Sequence, residues 1–233
     1  MFQKKRDILK FGNSEADKYL NDIENYPHFF VLACIMDRQI KAERAWLIPY
    51  KVSQEIGSPS FSVFMSLSES KLKRLFERGS YHRFNTIMAT YFYKGIQKIH
   101  SDYQDVASHM WKGNPGSATV VKRFMEFEGI SVKIGTMAAN ILARDFKVPM
   151  KDYICIDISP DRHVKRVFER TGLVPLKVSN EILLYRAREL NPKYPGVFDL
   201  SCFEIGREFC HSRNPECAKC HLNSYCPKVG LEE

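Results

Sequence analysis

The chain has 233 residues, 44% of them hydrophobic, with 35 lysines and arginines against 27 aspartates and glutamates. That length gives one or two domains with a real core, and no apolar run approaches the length of a membrane span. The net charge of +8 suits a polyanionic partner but does not by itself separate nucleic acid from an anionic membrane surface.

The predicted elements are mostly helical. The basic start, Met1-Phe2-Gln3-Lys4-Lys5-Arg6, is followed by no apolar signal segment, so an intracellular, reducing compartment (cytoplasm or nucleoid) is expected. Ser14 is expected to cap a helix running towards Ile23, and Pro27-His28 opens an apolar stretch over 29–36 that is too long for a strand here. Asp37-Arg38-Gln39 follows it. Ser68 opens an amphipathic segment with Leu72, Leu75 and Phe76 at helical spacing, ended by Gly79. Further helices are expected over 84–100, 103–111 and 117–127. The one strand-like alternation, Tyr153-Ile154-Cys155-Ile156, is short. Asn114-Pro115-Gly116 and Asn191-Pro192 read as connectors rather than domain joints. Cys34, Cys155 and Cys202 sit among apolar neighbours and read as core residues.

Two constellations carry chemistry. Phe127-Glu128-Gly129-Ile130-Ser131, between two helix-forming runs, describes a tight hairpin. Gly129 permits torsions other residues resist, and the free N–H groups opening the next helix offer a phosphate site that positions DNA without reading sequence. Near the end, Cys210, Cys217, Cys220 and Cys226 stand in C-x6-C-x2-C-x5-C spacing. Four thiolates so close together can meet one metal centre. Structural zinc gathers as two close pairs, whereas only Cys217 and Cys220 are close, and ferredoxins use other spacings. An iron-sulfur cluster is the favoured reading, with zinc and disulfides as alternatives.

This spacing, entered by Gly206-Arg207-Glu208-Phe209, resembles the cluster loop of the endonuclease III family of iron-sulfur DNA glycosylases. The hairpin is similar to that superfamily's Leu-Pro-Gly-Val-Gly, with Glu128 at the proline and Ser131 at the second glycine. The resemblance implies an all-α fold of two helical lobes with a DNA-binding cleft between them. It places a helical barrel lobe with the helix-hairpin-helix at 26–150, and a [4Fe-4S] cluster lobe at 1–25 and 151–233.

The family's lyases carry a lysine four positions after the first hairpin glycine, and that position is Lys133. Attack on C1′ of the deoxyribose needs a neutral amine, hence a lysine whose pKa is lowered by burial or neighbouring cations. The family's aspartate, which stabilises the oxocarbenium-like sugar, is matched by Asp161 in Ser159-Pro160-Asp161-Arg162-His163-Val164-Lys165-Arg166. Asp152 and Asp157 lack the following His-Val-x-Arg. His163 is assigned a supporting role. Gln39 resembles the residue that fills the gap left by a flipped nucleotide. Ser80 replaces the leucine wedge of the Gly-Leu-Tyr loop, which leaves Tyr81 or His82 as the inserted residue. Gly129 and Ser131 of the hairpin and Arg213 of the cysteine loop, beside His211 and Lys219, are the expected phosphate contacts.

The implied activity is a DNA N-glycosylase with AP lyase activity. It would remove a damaged base, an oxidised pyrimidine best fitting the pattern, from double-stranded DNA through a lysine Schiff base and β-elimination. A monomer without membrane association is expected. A monofunctional mismatch or damage glycosylase and a non-catalytic DNA-binding relative are the alternatives.

Overall fold

The structure is a computed structural model that describes residues 9–231. The basic N-terminal run at 1–6 lies outside the described residues. Among the described residues every regular element is a helix, and no helix is long and apolar enough to cross a membrane. The chain divides into two compact units.

The first unit runs to Pro115 and adds Lys122–Gly135. Its centre is α2 (Pro27–Met36), all ten of whose residues are buried. A helix apolar on every side belongs inside a core, and Pro27 in its first turn loses no intrahelical bond. Before it, α1 (Ser14–Asn21) is capped by Asn13, whose side chain accepts the Glu15 and Ala16 N–H groups. The expected Ser14 cap is therefore displaced by one residue, because the asparagine side chain satisfies two orphan donors.

Five helices complete the unit's packing: α3 (Ala42–Ala45), α4 (Ile48–Ile56), α5 (Phe61–Met65), α6 (Glu69–Arg78) and α7 (Asn85–Tyr103). Phe29, Phe30, Phe64, Phe76 and Phe92 are fully buried, and each such ring contributes about 1.5–3 kcal/mol relative to exposure. Gly95 lets α7 lie against α2, since a methyl group there would fall 2.6 Å from Ile35 Cδ1. Ser68 caps α6 and Gly79 ends it, as expected. The helix expected over 103–111 is only a 3-10 turn at Ala107–Met110. Gln104 and Asp105 both take left-handed torsions (φ 54° and 68°), which a continuing α-helix cannot contain.

The second unit holds Gly116–Val121 and the chain from Thr136 onward. The hairpin helices α8 (Ser117–Met125) and α9 (Val132–Arg144) each contribute residues to both units. The boundaries between the units fall at Pro115–Gly116, Val121–Lys122 and Gly135–Thr136. The division keeps α1 with the helices that follow it, whereas residues 1–25 were expected with the C-terminal region.

In this unit α10 (Arg162–Arg170), α11 (Asn180–Leu190) and α12 (Asp199–Glu208) enclose a core of Ile158, Val164, Phe168, Val174, Leu183 and Ala187. Phe198, Cys202 and Phe203 pack against it. Cys34 is buried as expected, but Cys155 and Cys202 are only partly so. Gly206 brings α12 onto α10: a methyl group there would stand 2.6 Å from His163 Cβ and 2.9 Å from its carbonyl oxygen. The alternation at 153–156 forms a turn closed by Ile156 N–H to the Tyr153 carbonyl at 3.1 Å. No strand exists among the described residues to pair with it.

Candidate nucleic-acid interface and catalytic residues

The hairpin turn forms as expected, and it needs its glycine. Gly129 sits at φ 92°, and a methyl group on it would lie 2.8 Å from Tyr91 Cδ2. The Ile130 N–H donates to the Phe127 carbonyl at 3.1 Å, and the Gly135 N–H donates to the Ser131 carbonyl at 2.9 Å, closing the first turn of α9. Glu128, in the place of the resembling motif's proline, pairs with Lys94 at 2.6 Å. Ser131, Val132 and Lys133 are exposed. The side chains that open α9 therefore lie on the surface, at the helix end that carries the positive dipole.

Lys133, the second residue of α9, is thus not buried, and burial cannot supply the neutral amine that attack on a sugar requires. What stands near it in the first unit is a carboxylate. Asp37 ends α2, and burial raises its pKa above the usual carboxylate range. Trp46 Nε1, which donates to Asp37 Oδ2 at 3.1 Å, and the positive charge of Lys133 both pull the other way. The sequence presented Asp37 only as the neighbour of Gln39. The available signal was a carboxylate directly after an unbroken apolar helix, where desolvation is expected.

The neighbouring residues gather on the same unit. Arg38 Nη1 donates to the Gly129 carbonyl at 3.5 Å, tying the end of α2 to the hairpin turn. Gln39 is exposed in a left-handed conformation (φ 52°), consistent with a projecting tip. Tyr81 and His82 are not so placed: they are 6% and 2% exposed. Arg44 Nε donates to the Tyr81 carbonyl at 3.0 Å, and His82 Nδ1 accepts the Phe84 N–H at 3.0 Å. The expected wedge residues are therefore packed inward, since the loop places its aromatic and imidazole rings beneath itself.

The remaining candidates lie in the second unit. Asp161 caps α10, its side chain accepting the His163 N–H at 2.6 Å. Its rivals are engaged in the frame: Ser117 Oγ donates to Asp152, and Arg188 grips Asp157 through two hydrogen bonds of 2.8 and 2.7 Å. His163 Nδ1 accepts from Arg166 Nη2 at 3.0 Å, and the same guanidinium group donates to the carbonyls of Gly206 and Cys210. His163 and Arg166 thus join the helix opened by Asp161 to the entrance of the cysteine loop.

Cys210, Cys217, Cys220 and Cys226 are unbridged and partly buried, and all four line one small pocket with Arg170 and Phe209. Arg170 is 9% exposed. Its Nη1 lies 3.3 Å from Cys210 Sγ, and its carbonyl oxygen lies 3.3 Å from Cys226 Sγ. No carboxylate pairs with Arg170 among the described residues; its other side-chain acceptors are the His211 and Ser212 carbonyls. Among the described residues no three His, Cys, Asp or Glu side chains converge closely enough for a single metal ion. On the loop, Arg213 is exposed, whereas His211 and Lys219 both face Glu216.

Neither a protein-family model nor a curated protein matches the sequence. The fold does have solved counterparts, among them structures of DNA glycosylases. The chain is similar to endonuclease III in a structure of a trapped covalent intermediate with DNA, with TM-score 0.60 and 15% identity over 94% of this chain and 97% of that one. It is likewise similar to a thermostable thymine-DNA glycosylase (TM-score 0.61, 16% identity, 88% and 85% covered). Against the apo-form of the Clostridium acetobutylicum 8-oxoguanine glycosylase/lyase the TM-score is 0.54 at 13% identity, over 85% and 68% of the two chains. The expected all-α fold is borne out.

Proposed function

We propose that this chain is a base-excision DNA glycosylase with AP lyase activity, acting on duplex DNA that carries a damaged base or an abasic site. The observation that carries the proposal is Lys133, exposed in the first turn of the helix that follows the Gly129 turn, with Asp37, a carboxylate whose pKa burial raises, within its electrostatic reach. The turn and the opening of α9 would hold backbone phosphates, while Gln39 would enter the duplex on the same unit.

Lys133 Nζ gives a proton to a carboxylate and attacks C1′. The glycosidic bond breaks and the base leaves with the bonding electrons; loss of a second proton opens the ring to an imine. Removal of a C2′ proton then expels the 3′ phosphate by β-elimination, nicking the strand. Asp161 is assigned to stabilise positive charge on the sugar, and His163 to hold its helix. An oxidised pyrimidine is the proposed lesion class. Intracellular placement and a monomeric state belong to the same proposal.

The four cysteines fit a [4Fe-4S] cluster. They are four soft sulfur donors lining one pocket, and the buried Arg170 guanidinium group offsets the negative charge that four thiolates bring. When bound, the cluster would cross-link the loop that presents Arg213 to phosphate.

The test is borohydride trapping on a panel of duplexes bearing different lesions. The proposal predicts a covalent protein–DNA adduct with at least one lesion or with an abasic site, and its loss in Lys133→Ala. No adduct on any duplex, or equal trapping by Lys133→Ala, overturns it.

A further inference from the structure

At the end of α2 away from Asp37, the first unit holds an open cleft of about 710 Å³, the size of a small-molecule site. Its walls come from the loop before α2, the loop before α5 and the end of α7. The ten residues of α2 rise about 1.5 Å each, which sets the cleft about 15 Å along the helix from the Asp37 segment. The chain carries 35 lysines and arginines, yet none of them lines this cleft. Two carboxylates do, Glu24 and Asp105. Among the described residues the Glu24 side chain forms no hydrogen bond or ion pair, and the Asp105 carboxylate meets only His100 Nδ1, at 2.8 Å. Gln104 and Asp105 take left-handed torsions in succession (φ 54° and 68°), a costly backbone for residues with a Cβ, and it brings Asp105 to the cleft.

A buried side chain supplies an independent acceptor. His28 lines the cleft and is 3% exposed. A carbonyl only accepts, so Nε2 carries the proton that is donated to Pro59 at 2.9 Å. Burial lowers the pKa of the ring to about 4 and keeps it neutral at pH 7, which leaves Nδ1 a bare acceptor. Nor is Nδ1 sealed in: the sealed side-chain atoms without a partner among the described residues are His82 Nε2 and Ser108 Oγ. It therefore opens on the cleft and takes its donor from whatever fills it.

We propose that this cleft binds a small organic polyamine, whose ammonium groups pair with Glu24 and Asp105 while one N–H donates to His28 Nδ1. The methylene stem would lie against Tyr26, Phe61 and Met65, and the two aromatic faces attract a cation. A divalent metal ion fits less well, since among the described residues no three His, Cys, Asp or Glu side chains converge on one point. The site is separate from the proposed chemistry on DNA and does not depend on it.

The test is isothermal titration of the full chain, free of DNA, with spermidine at pH 7. Wild type should bind saturably, one to one. A hydrogen bond between charged groups is worth enough that Glu24→Gln and Asp105→Asn should each weaken binding about tenfold or more. Glu15→Gln, which removes an exposed carboxylate elsewhere on the unit, should bind like wild type. Glu24 and Asp105 are exposed, so melting temperatures without spermidine should match wild type and show that the variants fold. No saturable binding by wild type at millimolar spermidine overturns the proposal. Equal weakening in all three variants overturns it too, because the attraction would then be diffuse. Binding of a tetralysine peptide that is lost in Glu24→Gln, with none of spermidine, overturns it in favour of a basic protein segment.

Discussion

Asp37 ends a helix whose ten residues are all buried, so its carboxylate is desolvated and its proton affinity rises. Lys133 is exposed and has this carboxylate as an electrostatic neighbour. In the proposed reaction the lysine must give up a proton before it attacks. Asp37 has the raised affinity such an acceptor needs. Asp37→Asn should slow imine trapping at neutral pH by about tenfold or more. The remaining rate should climb towards alkaline pH, where solvent removes the lysine proton. A pH profile of single-turnover trapping identical to wild type would sink this role. The sequence located Lys133 through Gly129 but required a buried or cation-flanked lysine. Which carboxylate faces it depends on the fold of α2 against the hairpin, a long-range fact that no local spacing records.

At the scale of elements, the legible parts were those set by local chemistry. The apolar run became α2, and Ser68 and Gly79 bounded α6. Gly129 marked the hairpin because the turn needs a positive φ. The burial of Tyr81 and His82 was not legible, since it arises from Arg44 and the space above Gly79. The cysteine loop belongs to this scale as well. Its entrance is tied to α10 by Arg166 and its pocket is flanked by buried Arg170. Iron and acid-labile sulfide analysis of protein purified without oxygen should find about four of each per chain. Stoichiometric zinc without iron would contradict the cluster assignment. So would the loop cysteines remaining metal-free while the protein still binds abasic duplex with unchanged salt dependence.

For the whole molecule, a charge of +8 suits a polyanionic partner, and DNA is the one proposed. The fold also carries an acid liability away from the chemistry. His28 Nε2 donates to the Pro59 carbonyl at 2.9 Å, and burial lowers its pKa to about 4. An unfolded histidine binds its proton near pH 6.5, so between there and about pH 4 the unfolded state holds more protons than the folded one. Stability therefore drains away as pH falls through that window, by about 3 kcal/mol in total. Urea midpoints measured at pH 7 and pH 4.5 should converge in His28→Gln relative to wild type, and an equal drop in both would contradict this. The central claim concerns one atom, Lys133 Nζ. Its most direct test is mass spectrometry of proteolytic peptides from the borohydride-reduced adduct with abasic duplex DNA. The account predicts a sugar remnant on the peptide containing Lys133, and a remnant on any other lysine or on the N-terminal amine would contradict it.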